Sequence, residues 1–182
     1  MKKTFIYVSV IFIVLSITGC GLKTSDYAVS ADNVQTLRTF NNTKIAVDSF
    51  TAKTPNESQI LCRLAETITT PQGESFEKYI EKALVAELIM AGIYDKDSKL
   101  KLTGHLEKIY GSTMLGNAYW EIEIKISSSN GKELSVQTKR EYPSAFVAYT
   151  ACNNMASSFS PTIKQLINEI INHKDFASLL IN

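Results

Sequence analysis

Few side chains in this 182-residue chain have the chemistry of a reactive or ligating group: three cysteines, two histidines, and scattered carboxylates. The tightest spacing is Ser75-Phe76-Glu77-Lys78, in which a lysine one helical turn away could activate a serine for acyl transfer. No Lys-Thr-Gly follows it, and the ~140 residues of the expected domain are too few for the fold that uses the pattern. Ser75 is better explained as the start of a helix. His105 sits among polar strand neighbours, and His173 lies near a helix end, where a cation favours the helix dipole. Neither has ligand-type neighbours spaced to share a face, so no metal site is expected. Glu121 and Glu123 project to one side of a strand, as a carboxylate pair would. Lys101, Lys125 and Lys139 are expected on that side too, which makes it a solvated sheet surface. The net charge of +1 lacks the clustered excess of Lys and Arg that nucleic-acid binding needs.

The cysteines are more informative. Met1-Lys2-Lys3 is a basic start, and Thr4 to Ile17 holds 11 apolar residues in 14, the pattern of a secretory leader. Ile17-Thr18-Gly19-Cys20 then resembles the bacterial lipobox. The resemblance implies recognition of Ile17, Thr18 and Gly19 by signal peptidase II, cleavage before Cys20, and diacylglycerol on the Cys20 sulfur. Covalent diacylglycerol and a further acyl chain on Cys20 would make a stable anchor, since a single chain binds only marginally. An ordinary signal peptide and an uncleaved anchor are the alternatives. By resemblance to enteric sorting rules, Gly21 after the cysteine implies the outer membrane. Cleavage would remove Lys2 and Lys3 and no acid, leaving 163 residues with 17 bases against 18 acids.

Cys62 and Cys152 remain as an even pair, and in an oxidising compartment an even pair most simply forms a disulfide. No Cys-x-x-Cys occurs, so thiol exchange chemistry is not expected. A bond closing 90 positions would contribute about 4 to 5 kcal/mol through the unfolded chain.

Positioning these residues needs a scaffold, and hydrophobic periodicity supplies one. Residues 21–42 are polar and predict a tether, with Val34, Leu37 and Phe40 able to dock part of it. Lys44 to Phe50 predicts a strand, followed by a long polar connection through Pro55, Cys62 and Pro71. Phe76, Ile80, Leu84 and Leu88, joined by Tyr79, Ala83 and Ala91, recur at helical spacing, with Gly92 as the C-cap. Leu100, Leu102 and Leu106 alternate with polar residues. The loop Gly111 to Asn117 carries Met114 and Leu115, either exposed to a partner or tucked under the sheet edge. Trp120, Ile122, Ile124 and Ile126 alternate strictly with charges. Ser129-Asn130-Gly131 predicts a hairpin turn into a last strand through Val136. Cys152, Phe159, Ile163, Leu166 and Ile170 form a helical stripe through Pro161, as one bent helix or two with Ser160 as the second cap; one helix is favoured because the stripe keeps its phase. The order β-α-β-β-β-α predicts an α/β (α+β) two-layer sandwich, a sheet of about four strands with two helices on one face. The expected organisation is a signal peptide at 1–19, a lipidated cysteine and tether at 20–42, and a globular domain at 43–182.

Certain local motifs also carry a family likeness: Cys62-Arg63, Pro71-Gln72-Gly73, Phe76 with Tyr79-Ile80, Glu87-Leu88, Ala91-Gly92, Ser129-Asn130-Gly131 and Ala151-Cys152. On these, residues 44 to 180 are similar to a group of bacterial lipoproteins of unknown function. The overall plan resembles the lipopolysaccharide-assembly lipoprotein E family and the transport-auxiliary lipoproteins. The resemblance implies a fold and an anchor but no catalytic residues. The expected function is therefore that of a non-enzymatic lipoprotein, lipid-anchored in the outer membrane with its domain facing the periplasm, binding or positioning another envelope component. The alternative is a periplasmic ligand-binding or enzyme-inhibitor module acting through Met114 and Leu115. Neither needs a cofactor, a metal or a nucleic-acid partner.

Overall fold

The computed structural model describes residues 21–64 and 66–181. Ile17, Thr18, Gly19 and Cys20 lie outside the described residues. The first half of the chain runs β1 (Leu22–Lys23), α1 (Ala31–Arg38), β2 (Ala46–Val47), β3 (Thr51–Ala52), β4 (Gln59–Cys62) and β5 (Glu66–Thr69). The second half runs α2 (Phe76–Ala91), β6 (Lys101–Met114), β7 (Asn117–Ser128), β8 (Glu133–Glu141), α3 (Ala148–Ile171) and α4 (Phe176–Leu179).

The architecture is mixed α/β. The main sheet has the order β2-β6-β7-β8, with β3 continuing the edge beside β6. β2 and β3 run parallel to β6, while β6, β7 and β8 form an antiparallel meander. Alternation in β7 turns Ala118, Trp120, Ile122, Ile124 and Ile126 inward and leaves Glu121, Glu123 and Lys125 on the wetter face, as one covered face requires. α2 and α3 close that face. Phe159 of α3 stands 5.1 Å from the Trp120 ring and 5.5 Å from Phe76 of α2, centroid to centroid. The Trp120 indole N–H donates to the Met155 carbonyl at 2.9 Å, so this large ring is buried without stranding its donor.

Each predicted helix forms. α2 buries Phe76, Tyr79, Ile80, Ala83, Leu84 and Leu88 and ends at Gly92, whose φ of +78° suits glycine. α3 is a single helix of 24 residues that includes Pro161. The apolar stripe keeps one phase across the proline, so packing against the sheet compensates the missing backbone donor.

Four sequence expectations need correction. The strand expected from Lys44 to Phe50 is two short pieces. Val47 pairs with Leu102 and Thr51 with His105, so the edge carries one residue more than its partner. Phe50 occupies the break, its amide donating to Glu81 Oε2 at 3.0 Å and its ring lying over Gly104. The loop expected at Gly111 to Asn117 is the closed end of the β6–β7 hairpin, with Met114 paired to Asn117. β6 extends that far because a bulge at Glu107 switches its alternation, setting Leu106 against Ile124 but Lys108 against Glu123. The polar connection before α2 contains the β4–β5 hairpin, which joins β1 in a three-stranded sheet. Finally, the stretch expected as a tether is folded onto the domain through β1 and α1, with Val34 and Leu37 buried.

The Phe50–Gly104 contact makes a graded prediction. A Cβ at Gly104 would fall 2.4 Å from the ring of Phe50, which is itself buried. A Cβ at Gly111 would meet the mobile end of Met155 at 2.1 Å and the Trp120 ring at 3.2 Å. Gly104→Ala is expected to cost about 2 to 3 kcal/mol and Gly111→Ala about 1, read as shifts in urea midpoint. Equal costs would mean that the Phe50 ring is not held.

Candidate functional site

The three loops at one end of the molecule converge on Arg63. This end holds the β4–β5 turn, the tip of the β6–β7 hairpin and the segment from β8 into α3. Arg63 Nη1 donates to the Phe146 carbonyl at 2.9 Å and Nη2 to the Thr113 carbonyl at 2.7 Å. Nη2 also reaches the Ser144 hydroxyl at 3.3 Å, and Nε the Thr113 hydroxyl at 3.3 Å. A planar guanidinium suits this role because its donors have fixed directions. The Ser144 hydroxyl and the Tyr142 hydroxyl complete the clamp, donating to the carbonyls of Thr113 and Ser112, each at 2.7 Å. Burial pushes the Tyr142 hydroxyl well above the ordinary tyrosine range, so it stays a donor.

The sulfurs of Cys62 and Cys152 are bonded, with both residues buried and their Cα atoms 5.9 Å apart. The bond ties β4 to the first turns of α3 directly behind the loops. Arg63 and Leu64 follow with φ of +49° and +55°, conformations that cost on the order of 1 kcal/mol each outside glycine. The result is to hold Leu64 outward at 90% exposure. Met114 and Leu115, the predicted partner loop, are exposed at the hairpin tip, and Phe146, Val147 and Tyr149 are exposed beside them.

The N-terminal segment reaches the same end. β1 runs parallel to β5, with Leu22 opposite Ile68, so Gly21 lies opposite Thr67. A Cβ on Gly21 would sit 3.3 Å from the Thr67 carbonyl oxygen. Further along, the segment is pinned by Glu87, a fully buried residue of α2. Glu87 Oε1 accepts from the Tyr27 hydroxyl at 2.5 Å, the Ser30 amide at 2.9 Å and Asn33 Nδ2 at 3.2 Å. Asn33 also bridges to α3, donating to the Lys164 carbonyl at 3.3 Å and accepting from Asn168 at 2.9 Å. Burial, then the bond to Glu87, raises the Tyr27 hydroxyl far above the ordinary range.

The remaining candidates are engaged elsewhere. Lys78 pairs with Glu81 at 2.5 Å, and the Ser75 side chain makes no cap bond. Glu74 pairs with Lys82. Glu121 lies between Lys108 at 2.8 Å and Gln137 at 2.7 Å. The bond from Lys108 holds the Glu121 carboxyl below the ordinary glutamate range and correspondingly raises the lysine. His105 Nδ1 is 2.7 Å from the Thr51 hydroxyl, and His173 Nδ1 accepts from the Asp175 amide at 3.2 Å. Among the described residues, no three His, Cys, Asp or Glu side chains converge as a metal site, and no helix is long and apolar enough to cross a membrane. A hollow of about 610 Å³ lies between residues 25–33 and α3, with Asp26, Asp32, Arg140 and Lys164 on its walls. It is an open polar recess with charges of both signs.

Sequence reasoning missed the Arg63 clamp, Leu64, Phe146 and the buried Glu87. Only Glu87 left a readable signal. Phe76, Ile80, Ala83, Glu87 and Ala91 form one stripe at helical spacing, and a carboxyl there must be buried.

No family model matches the chain, and no curated protein does. Among solved structures it is similar to protein XCC0632 from Xanthomonas campestris, which carries the family model DUF330. The identity is 11% and the TM-score 0.49, over 86% of this chain and 94% of that one. A likeness at that level says nothing about function.

Proposed function

We propose that the chain is a non-enzymatic lipoprotein of the bacterial cell envelope. Cys20 anchors it by lipid in the outer membrane with the domain facing the periplasm, where it binds or positions another envelope component. The observation that carries this reading is the buried Cys62–Cys152 bond. A structural disulfide belongs to an oxidising compartment, and it consumes every thiol except Cys20. That remaining cysteine stands where an apolar leader meets the folded domain, at the position a lipobox requires.

Cells grown with radiolabelled palmitate test the anchor. The wild type is expected to take up label and sediment with membranes, while Cys20→Ala takes up none and moves to the soluble fraction. Equal labelling of the two proteins would refute lipidation at this residue.

A further inference from the structure

We propose that the end of the domain gathered around Arg63 is a membrane-contact face, which rests on the anchored reading above. Its occupant is a lipid surface, into whose interfacial region the loops dip.

Among the described residues the most exposed large apolar side chains are Leu64 at 90% and Phe146 at 86%. They stand on different loops, yet Arg63 bridges those loops and the Met114–Leu115 hairpin tip through bonds to Thr113, Ser144 and the Phe146 carbonyl. Arg63 therefore ties the loops together with its own charge turned inward onto carbonyl and hydroxyl oxygens, while Leu64, Phe146 and the hairpin tip turn apolar groups outward. Phe146 and Tyr149 add the aromatic groups that favour the level of lipid headgroups.

A lipid surface is favoured as occupant by where the rest of the chain joins. Residues 1–20 connect at Gly21, which lies opposite Thr67, and Thr67 pairs with Leu61 across β4 and β5. Two strand spacings put Gly21 about 10 Å from exposed Leu61. The anchor, whether an acylated Cys20 or an uncleaved apolar leader, is thus attached beside the apolar tips. The segment after it is folded onto the domain through β1 and the Glu87 network, so no free tether carries the face away from the bilayer. The β7–β8 turn at Ser129-Asn130-Gly131 is at the far end, about 40 Å away along a twelve-residue strand.

The test uses the full-length protein purified from membranes and reconstituted in phosphatidylethanolamine–phosphatidylglycerol vesicles. Single cysteines are introduced as Leu64→Cys, Leu115→Cys, Phe146→Cys and, as the far-end control, Lys132→Cys. Each is labelled with a nitrobenzoxadiazole dye, and the native disulfide is verified by non-reducing mass mapping. Spin-labelled lipids are expected to quench positions 64, 115 and 146 at least about twofold more than 132. Vesicle flotation reads the anchor separately. Flotation with quenching equal at all four positions overturns the contact face and leaves the anchor intact. Failure to float overturns both. Tips that escape lipid quenching but cross-link between copies assign the face to self-association instead and also overturn the proposal.

Discussion

The double variant Cys62→Ala/Cys152→Ala is expected to unfold with about 4 to 5 kcal/mol less free energy than the wild type. The bond spans 90 positions, so its loss restores to the unfolded chain the freedom of a loop that size. Both residues are buried, and alanine leaves a small apolar gap without stranding a hydroxyl. The folded state also suffers locally, because the bond holds β4 against α3 and sets the backbone that presents Arg63. Equilibrium urea denaturation checks the size, and wild type treated with reductant should match the variant. A loss below ~1 kcal/mol would mean that packing of β4 and β5 holds this end without the bond.

The second large effect is expected at Glu87. Its Oε1 serves the Tyr27 hydroxyl, the Ser30 amide and Asn33 Nδ2. Glu87→Ala removes that acceptor and opens a cavity beneath α1. A buried donor left without its acceptor costs about 1 to 3 kcal/mol, in full at Asn33 Nδ2 and in part at the half-buried Tyr27 hydroxyl and Ser30 amide, which weakens the docking of a short segment. The relief is to undock. Amides from Leu22 through α1 are expected to exchange with deuterium tens of times faster, while those of β7 stay protected, as local opening predicts. Glu87→Gln keeps one carbonyl oxygen for the donors and should lie between. If exchange in α1 is unchanged in Glu87→Ala, the segment is held without Glu87, by the burial of Val34 and Leu37 and the Asn33 bonds to α3.

How legible each element was follows from how local its cause is. α2 and α3 were readable because an apolar stripe repeats along one segment, and β7 because its alternation never breaks. The cysteine pair was readable because nothing else competed for it once Cys20 was set apart. β6 was only half readable, because the bulge at Glu107 reverses which side faces the core and makes Ile109 look misplaced. β1, β4 and β5 have two to four residues each, too few to show a period, and β1 finds its partner 46 positions onward, Leu22 opposite Ile68. Val34, Leu37 and Phe40 marked the expected tether as able to dock, and Val34 and Leu37 are buried, but the polar half of the attachment, Asn33 on Glu87, joins residues 54 positions apart and has no local signature.

The same distinction applies to the loops. Met114 and Leu115 could be singled out because they are apolar between glycines. Leu64 and Phe146 could not, since their exposure depends on left-handed backbone at residues 63 and 64 and on one arginine reaching two distant loops. Those are tertiary facts with no local signature.

The central claim, that Cys20 is the acylated first residue of the mature protein, is most directly tested by mass spectrometry of its N-terminal tryptic peptide. Protein from detergent-extracted membranes should yield Cys20-Gly21-Leu22-Lys23 beginning at the cysteine, heavier by diacylglycerol and a further acyl chain. A peptide that begins upstream of Cys20, or one that carries an unmodified thiol, would contradict it.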